Sequence, residues 1–284
     1  MTELNYGIAN DLLFSNLRLK FKCRIKIIPY TMKFRVIMIM SLILATQVSC
    51  QTAEKPAEES STPNLEFASL FNGEDFTNWK VPVGDNGHWK ILDGVIDYDA
   101  ESEAEDDKNL WSEKEYQDFV LFVDWRIKET PWKNHGVPII LPSGLHKLDE
   151  NGKEIKIVIP DSDSGIYLRG SSKSQVNIWC WPVGSGEVYG YRMDGSQPAE
   201  VRRGVTPKTI ADNNIGEWNT FRIEMVGDRL TIDLNGLRII ENAELPGIPE
   251  KGAIALQHHG RKKDGEWAGP PSLVQFRNIR IAEL

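Results

Sequence analysis

Cysteine is scarce in this chain of 284 residues, and its positions exclude two kinds of structure. Of the three cysteines, Cys23 and Cys50 precede the region in which strands are predicted, and Cys180 stands alone there. A disulfide framework and a cysteine-based metal site are therefore both excluded. An excess of positive charge is also missing, because 33 Lys and Arg face 41 Asp and Glu. The acidic balance argues against nucleic acid as a partner.

Several catalytic signatures are absent as well. The chain contains no Gly-x-Ser-x-Gly elbow, no His-Glu-x-x-His helix and no glycine-rich phosphate loop. It also lacks the Glu-x-Asp-x-x-Glu pattern, and ordinary glycoside hydrolysis requires two facing carboxyl groups. A conventional retaining glycosidase is therefore disfavoured.

The amino-terminal part has the layout of an export signal. Residues 32–50 begin with Met32, Lys33 and Arg35, continue as an apolar run and end in Ser49-Cys50. This layout is typical of a secretory signal and is too short for a membrane-spanning helix. The ending resembles a bacterial lipobox and predicts that Cys50 carries a lipid anchor; the alternative is a cysteine that ends the run by chance. Residues 1–31 are interpreted as an upstream extension.

Residues 51–64 are rich in Glu, Pro, Ser and Thr and contain no aromatic residue, which predicts a flexible tether before a domain at 65–284. Removal of residues 1–50 takes away seven basic and two acidic residues, leaving 26 against 39 and a net charge of −13. We expect an exported protein anchored in the bacterial cell envelope, in the periplasm or at the outer membrane. Its only contact with the membrane would be the lipid.

The stretch from Asp163 to Arg192 is predicted to form two strands of a hairpin with one buried and one working face. Period-two alternation puts Ile166, Leu168, Val176, Ile178 and Cys180 in the core. The opposite face then carries Tyr167, Arg169, Gln175, Asn177, Trp179 and Trp181, with Tyr189 following. Amides and guanidinium groups bind hydroxyls, and indoles cover the apolar faces of sugar rings, so this face predicts carbohydrate binding. The alternative is a strand whose polar side faces water.

The remaining patterns indicate an all-β fold. Residues 119–127 alternate strictly, with Asp124 and Arg126 on the polar side as further candidates for sugar binding. Hairpins are predicted around Asp93-Gly94 and in a three-stranded meander over 219–245. No helix longer than one or two turns is predicted. These strands, without a βαβ rhythm, predict an antiparallel sandwich.

Two further features concern the candidate site. The insertion Thr130–Pro160 is predicted to fold against the site, and its His135 and His146 are interpreted as surface residues rather than a metal pair. Near the end of the chain, alternation from Ile254 and Leu256 places Gln257 and His259 on the polar face and makes His258 an inward or edge residue. A histidine titrates near neutral pH and suits proton abstraction. The alternative for His259 is a residue that caps the end of its strand.

Six segments carry a resemblance to a known family, and they occur in order over about 65–284: LFNGEDFTNW, DSGIYLRG, SQVNIW with GSGEVYGYR, GEWNTFRIEMVGDRLTIDLNG, LQHHG and VQFRNIRI. They resemble the 3-keto-disaccharide hydrolase domain, formerly DUF1080. The resemblance implies a concanavalin A-like jelly roll in an exported bacterial protein that acts on glycosides oxidised at C3. Many members have Asn-Ser-Gly where this chain has Asp163-Ser164-Gly165, and the long insertion and the Trp179-Cys180-Trp181 run suggest a subgroup.

The implied chemistry explains the missing pair of carboxyl groups. A ketone at C3 acidifies the C2 proton, so one base can start elimination of the C1 substituent, after which water adds. Under this resemblance His259 is the base and Arg169 the donor to the enolate, and Asp163 or Glu187 protonates the leaving group or holds a divalent metal. No redox cofactor is required, since a separate sugar 3-dehydrogenase would make the ketone. A lectin-like module without catalysis and a ligand-free scaffold domain are the alternatives.

Overall fold

Strands are the main regular secondary structure of residues 65–284, the part of the chain that this computed structural model describes. The first sheet has eight strands, in the order β13 (Leu237–Glu244), β12 (Arg229–Leu234), β11 (Asn219–Val226), β6 (Phe119–Ile127), β17 (Val274–Glu283), β4 (Val95–Tyr98) and β3 (Trp89–Leu92), with β1 (Ala68–Ser69) also paired to β17. The second sheet has five, in the order β10 (Ser171–Trp179), β9 (Asp163–Leu168), β14 (Gly252–Leu256), β5 (Leu110–Tyr116) and β2 (Trp79–Lys80). All pairings are antiparallel, which confirms the predicted concanavalin A-like jelly-roll sandwich.

The hydrophobic core lies between these two sheets. All five apolar residues of the alternating pattern in β6 are buried, and they face the inward residues of β9, β10 and β14. Ile166, Leu168, Val176 and Ile178 are each fully buried, as predicted, while Cys180 packs against the core from its margin. Burial of a side chain of this size contributes about 1.5 to 3 kcal/mol, so this pattern fixes which face of the second sheet points outward.

The predicted hairpin and meander are confirmed. Strands β3 and β4 are joined by Asp93 and Gly94, whose φ angles of 51° and 77° are those of a primed two-residue turn. Strands β11, β12 and β13 follow one another in the first sheet, with Phe221, Ile223 and Met225 buried. The sandwich is thus built from local hairpins as well as long-range pairs.

The insertion forms a ribbon beside the second sheet. Two strands, β7 (Trp132–Pro138) and β8 (Lys156–Asp161), pair with each other, and a smaller ribbon joins β15 (Lys262–Lys263) to β16 (Glu266–Trp267). The two short helices are α1 (Tyr189–Arg192) and α2 (Ala199–Gly204). Neither is long and apolar enough to cross a membrane, and no other helix occurs in residues 65–284. The segments 1–31, 32–50 and 51–64, with the lipid-anchor prediction at Cys50, lie outside the described residues.

Candidate active site

A cleft of about 380 Å³ opens on the outer face of the second sheet. It is lined by Asn134, Asp163, Gln175, Asn177, Trp179, Trp181, Tyr189, Gln257, His259 and Pro270. All of these except Asn134 and Pro270 are residues that the sequence pattern places in the site. The structure therefore brings together most of the residues that the alternation assigns to one face.

Strand register explains this convergence. Asn177 lies opposite Gly165, and Trp179 lies opposite Asp163, in the antiparallel pair of β9 and β10. Residues opposite each other in such a pair project to the same face. Gly165 has no side chain, and a Cβ added there would lie 2.5 Å from Gln175 Nε2. The glycine thus leaves space for the Gln175 amide to lie across the sheet.

Amide groups form the floor of the cleft. Gln175 Nε2 donates to Gln257 Oε1 at 2.6 Å and to the Ser164 carbonyl at 3.2 Å, which orients both glutamines. Asn177 is 2% exposed and lines the cleft, and its backbone N–H donates to the Glu187 carbonyl at 3.0 Å while its carbonyl accepts from the Gly186 N–H at 2.8 Å. These backbone bonds fix the position from which its side-chain amide faces the cleft.

Three aromatic rings form one wall. The rings of Trp179 and Trp181 are stacked, with centroids 4.3 Å apart and planes within 3°, and Tyr189 meets both edge-on. Trp179 is 5% exposed, and its Nε1–H donates to the Gly184 carbonyl at 2.8 Å. Trp181 is half-buried and Tyr189 is exposed. The surface open to a sugar ring is thus provided by Trp181 and Tyr189, while Trp179 supports them from beneath.

The ring of His259 has a defined tautomer. Its Nδ1 lies 2.7 Å from the Pro270 carbonyl, and because a carbonyl only accepts, Nδ1 carries the proton and Nε2 is the basic nitrogen. The backbone is held equally firmly, since the His259 N–H donates to Ser272 Oγ at 2.5 Å and its carbonyl accepts from the Ser272 N–H at 2.9 Å. The following Gly260 has a φ of 99°, and a Cβ there would lie 2.7 Å from Pro271 Cα. These contacts fix the imidazole at the cleft.

Asp163 lies beside this histidine at the start of β9. Burial raises the pKa of its carboxyl group to about 7, the neighbouring Asp161 raises it further, and positive charge on His259 opposes both. Its Oδ1 is buried without a hydrogen-bond partner among residues 65–284. The Ser272 hydroxyl donates to the Asp163 carbonyl at 2.8 Å and so connects the backbones of both residues. The cleft thus contains one imidazole base and one carboxyl group that holds a proton near neutral pH.

His258 points away from the cleft, as the alternation predicts. Its Nδ1 is 2.6 Å from the Tyr98 hydroxyl, and its backbone N–H donates to Asn109 Oδ1 at 2.8 Å. Burial lowers its pKa to about 4. His258 is therefore a neutral structural residue at neutral pH.

Arg169 is not at the cleft, which corrects the prediction that it donates to the enolate. It has a φ of 51° in the turn after β9, and its buried guanidinium donates to the carbonyls of Gln117 and Gly227 and, at 2.8 Å, to Asp118 Oδ1. The alternation ends with the strand, so the turn carries this side chain to the opposite end of β9 from Asp163. Its hydrogen bonds tie that turn to neighbouring loops.

Asp124 and Arg126 are also elsewhere. They project from β6, which belongs to the first sheet, so they lie on the other outer face of the sandwich. Asp124 accepts from Thr220 Oγ1 and Asn278 Nδ2, both at 2.7 Å, and Arg126 Nε donates to Gln275 Oε1 at 2.7 Å. Their placement contradicts a role in the same sugar site.

Tyr167 and Glu187 lie near the cleft but do not line it. Tyr167 is buried, with its ring centroid 5.8 Å from that of Trp111. Glu187 is fully buried in an ion pair with Arg192, and burial raises its pKa to about 7. Arg192 also donates to His146 Nε2 at 3.0 Å. Glu187 thus anchors helix α1 and the insertion, and this position corrects the prediction that it protonates the leaving group.

No group of three or more His, Cys, Asp and Glu within residues 65–284 is arranged to hold a metal ion. His146 is occupied by Glu154, which lies 2.7 Å from Nδ1, and by Arg192 on its other nitrogen. His135 is exposed on β7. His135 and His146 therefore have different surroundings. A divalent metal at the cleft stays a prediction.

Comparison with models of protein families finds a match over nearly all of the described residues. The model of the 3-keto-alpha-glucoside-1,2-lyase-like domain matches residues 66–282. The chain belongs to this family. Membership of the 3-keto-alpha-glucoside-1,2-lyase-like family supports a carbohydrate-related function. Among curated proteins no relative is found.

Similar solved structures have low sequence identity to this member of the lyase-like family. A candidate glycosyl hydrolase from Parabacteroides distasonis is 19% identical, with 77% of this chain and 84% of that chain covered and a TM-score of 0.48. A second such structure from the same organism is also 19% identical, covers 77% of this chain and 94% of that chain, and has a TM-score of 0.47. The carbohydrate binding module CBM66 from Bacillus subtilis is 13% identical, with coverages of 64% and 85% and a TM-score of 0.33.

Sequence reasoning missed several residues that shape the cleft of this lyase-like domain. Asp161 accepts from Asn134 Nδ2 at 2.8 Å and from Trp181 Nε1 at 3.1 Å, and so connects the ribbon to the aromatic wall. Pro270 and Ser272 orient His259. Asp161 ends β8 just before Asp163, which is a detectable signal, whereas a carbonyl of Pro270 gives no signal in the sequence.

Proposed function

We propose that this protein cleaves 3-keto-glycosides by abstracting the C2 proton and eliminating the C1 substituent. The observation that carries the proposal is His259, whose Nδ1–H is committed to the Pro270 carbonyl so that Nε2 is a base at the cleft. Family membership supports the sugar class. The positioned base suits a substrate whose C2 proton is already acidic, because such a substrate needs one base rather than two facing carboxylates.

The reaction proceeds as an elimination in two steps, followed by the addition of water. His259 Nε2 takes the C2 proton, the electron pair of the C–H bond forms a C2–C3 double bond, and the π pair of the C3 carbonyl moves onto its oxygen to give an enolate. When the C3 carbonyl re-forms, a C1–C2 double bond forms and the C1–O bond breaks, with its electron pair going to the aglycone oxygen. That oxygen takes a proton from Asp163, whose raised pKa keeps the carboxyl group partly protonated near neutral pH. Addition of water across the double bond completes a net hydrolysis.

Cleft residues other than Arg169 support the enolate. The Asn177 amide, which lines the cleft, replaces Arg169 as the proposed donor to the C3 oxygen, since a directed donor stabilises charge that develops there. Trp181 and Tyr189 hold the apolar face of the ring, and Gln175 and Gln257 bind its hydroxyls. Under this proposal a separate sugar 3-dehydrogenase supplies the ketone.

The test is the release of 4-nitrophenol from the 3-keto form of 4-nitrophenyl glucoside. His259→Ala is expected to lower kcat by about 100- to 10,000-fold, the range for loss of a general base, with a small change in KM. His258→Ala is the matched control and is expected to lower the melting temperature more than kcat. Transfer of deuterium from solvent into C2 of recovered substrate or product reports the proton abstraction directly.

Other results would contradict the proposal in different ways. Saturable binding of sugar without turnover by the wild-type protein would make it a lectin-like module, whereas an absence of binding would favour a scaffold domain. If His258→Ala abolishes turnover and His259→Ala does not, the base is assigned to the wrong histidine. Equal turnover in both variants and the wild type would require a base other than histidine.

A further inference from the structure

A second pocket of about 490 Å³ adjoins the cleft. The two share Trp179 and Trp181, so the indole pair forms the boundary between them. Most of the other walls are apolar, with Ile127, Ile159, Pro160, Pro182, Ile210 and Ile215 among them. A concave, mostly apolar space of this volume is the size that binds a small organic group.

A buried donor without a partner lies in the wall of this pocket. Trp125 is 2% exposed and lines the pocket, and its Nε1–H has no acceptor among residues 65–284. Buried indole N–H groups normally have a partner. The other three buried indoles, those of Trp79, Trp89 and Trp179, each donate to an oxygen. Trp125 is therefore the exception among the buried indoles of residues 65–284, which favours an acceptor on a ligand.

Charge and exposure limit the class of ligand. Asp212 is the one carboxylic acid, and no Lys, Arg or His, among the described residues that line the pocket; its carboxylate accepts from the Ser185 N–H at 3.1 Å, and burial raises its pKa. An anionic ligand is therefore disfavoured. Ile210 and Ile215 at the pocket are 61% and 49% exposed, and apolar side chains grouped at the entrance of a pocket are typical of a site for an apolar ligand.

We infer that this pocket holds the aglycone of the glycoside, and that the preferred aglycone is a neutral aromatic group carrying a hydrogen-bond acceptor. The inference rests on the proposed function, because the sugar must occupy the cleft for its C1 substituent to reach past Trp181. With the sugar ring on one side of the indole pair and the aglycone on the other, one substrate fills both the cleft and the second pocket. The Trp125 N–H then binds the acceptor of the aglycone.

The test fills the pocket and leaves the cleft intact. Ile215→Trp is expected to lower kcat/KM at least tenfold for an aromatic 3-keto-glucoside and to leave methyl 3-keto-glucoside within twofold, since the methyl group does not reach the pocket. Ile210→Trp is the second variant, in case the first is misfolded as judged by circular dichroism. Leu92→Trp is the matched control, because Leu92 is 49% exposed on the β3–β4 hairpin and does not line this pocket.

A binding measurement separates this inference from the proposed function. By calorimetry, unoxidised phenyl glucoside is expected to bind the wild-type protein at least tenfold more tightly than methyl glucoside, and Ile215→Trp is expected to remove that difference. If this holds while no 3-keto-glycoside is turned over, the pocket assignment stands and the reaction is wrong. If aromatic and methyl 3-keto-glucosides are turned over alike in the wild type and in both pocket variants, the pocket assignment is overturned and the reaction stands.

Discussion

The carboxyl group of Asp163 lies at the start of β9, beside His259 and close to Asp161. Burial is the main reason that its pKa rises to about 7, because removal from water disfavours the charged form. Its Oδ1 accepts no hydrogen bond from residues 65–284 that would favour ionisation. Asp163 therefore provides a proton donor at the cleft near neutral pH.

Asp163→Asn tests this donor. For a 3-keto-glycoside with an alkyl leaving group, kcat is expected to fall by about 100-fold or more, since the leaving oxygen then lacks an acid. For 4-nitrophenyl as leaving group the loss is expected to be smaller, because nitrophenolate departs without a proton. In the wild type the alkyl substrate is expected to react more slowly as pH rises through about 7, where Asp163 loses its proton. Equal losses for both leaving groups would argue against acid catalysis by Asp163.

The same variant has an expected effect on stability. The folded protein binds the Asp163 proton more tightly than the unfolded chain, whose pKa is the ordinary 3.8. This residue's contribution to the free energy of unfolding is therefore highest below about pH 4, falls as pH rises to about 7 and is constant above that. Urea unfolding from pH 4 to 9 is expected to show that decline reduced in Asp163→Asn, by an amount on the order of 1 kcal/mol or more. An unchanged pH profile would contradict the raised pKa.

At the scale of the element, β10 is the strand whose phase decides the site. The predicted alternation is confirmed for its buried residues, because Val176 and Ile178 are in the core and Asn177 faces the cleft. The alternation did not predict that two stacked indoles on the same face differ in burial. Trp179 is covered by Trp181 and bonded to Gly184, a contact made by the chain after the strand has ended.

The two tryptophans are expected to respond differently to removal. Trp181→Ala should weaken binding of a sugar ligand by about 1 to 3 kcal/mol and change stability little, because its ring is half-buried at the cleft. Trp179→Ala should lower the free energy of unfolding by about 3 to 5 kcal/mol, the cost of deleting a buried large ring. Calorimetric titration and urea unfolding measure the two quantities. A loss of stability confined to Trp181→Ala would reverse the assignment of the two rings.

Sequence periodicity predicted which side chains of a strand face outward. It did not predict where side chains lie beyond the end of a strand, nor which sheet a strand joins. Arg169 follows Tyr167 by two residues, yet a left-handed turn turns it away from the cleft face. Asp124 and Arg126 have the predicted polar orientation on β6, but alternation carries no information on which sheet a strand joins. Glu187 lies beyond β10, where the buried partner Arg192 determines its position. These contacts are long-range or belong to loops, so period-two patterns cannot report them.

At the scale of the whole molecule, the sandwich and its ribbon, within residues 65–284, provide the walls of the cleft and of the second pocket. We propose that the sequence before it, with its lipobox-like ending at Cys50, anchors this acidic domain in the cell envelope. Because a single acylated cysteine would carry the whole anchor, its removal should change the membrane localisation of the protein without changing its catalytic activity.

Cys50→Ser tests that separation in a bacterial host with lipoprotein processing. The variant is expected to leave the membrane fraction, either as an unprocessed precursor or as a soluble protein, because the acceptor thiol is gone. Soluble protein should turn over substrate at the wild-type rate, since the cleft is unchanged. Cys180→Ser is the matched control: Cys180 is the only cysteine within residues 65–284, and its serine variant should remain with the membrane. If Cys50→Ser fractionates with membranes as the wild type does, the lipid is not attached at Cys50. The one other cysteine after the predicted export signal, Cys180, packs against the core.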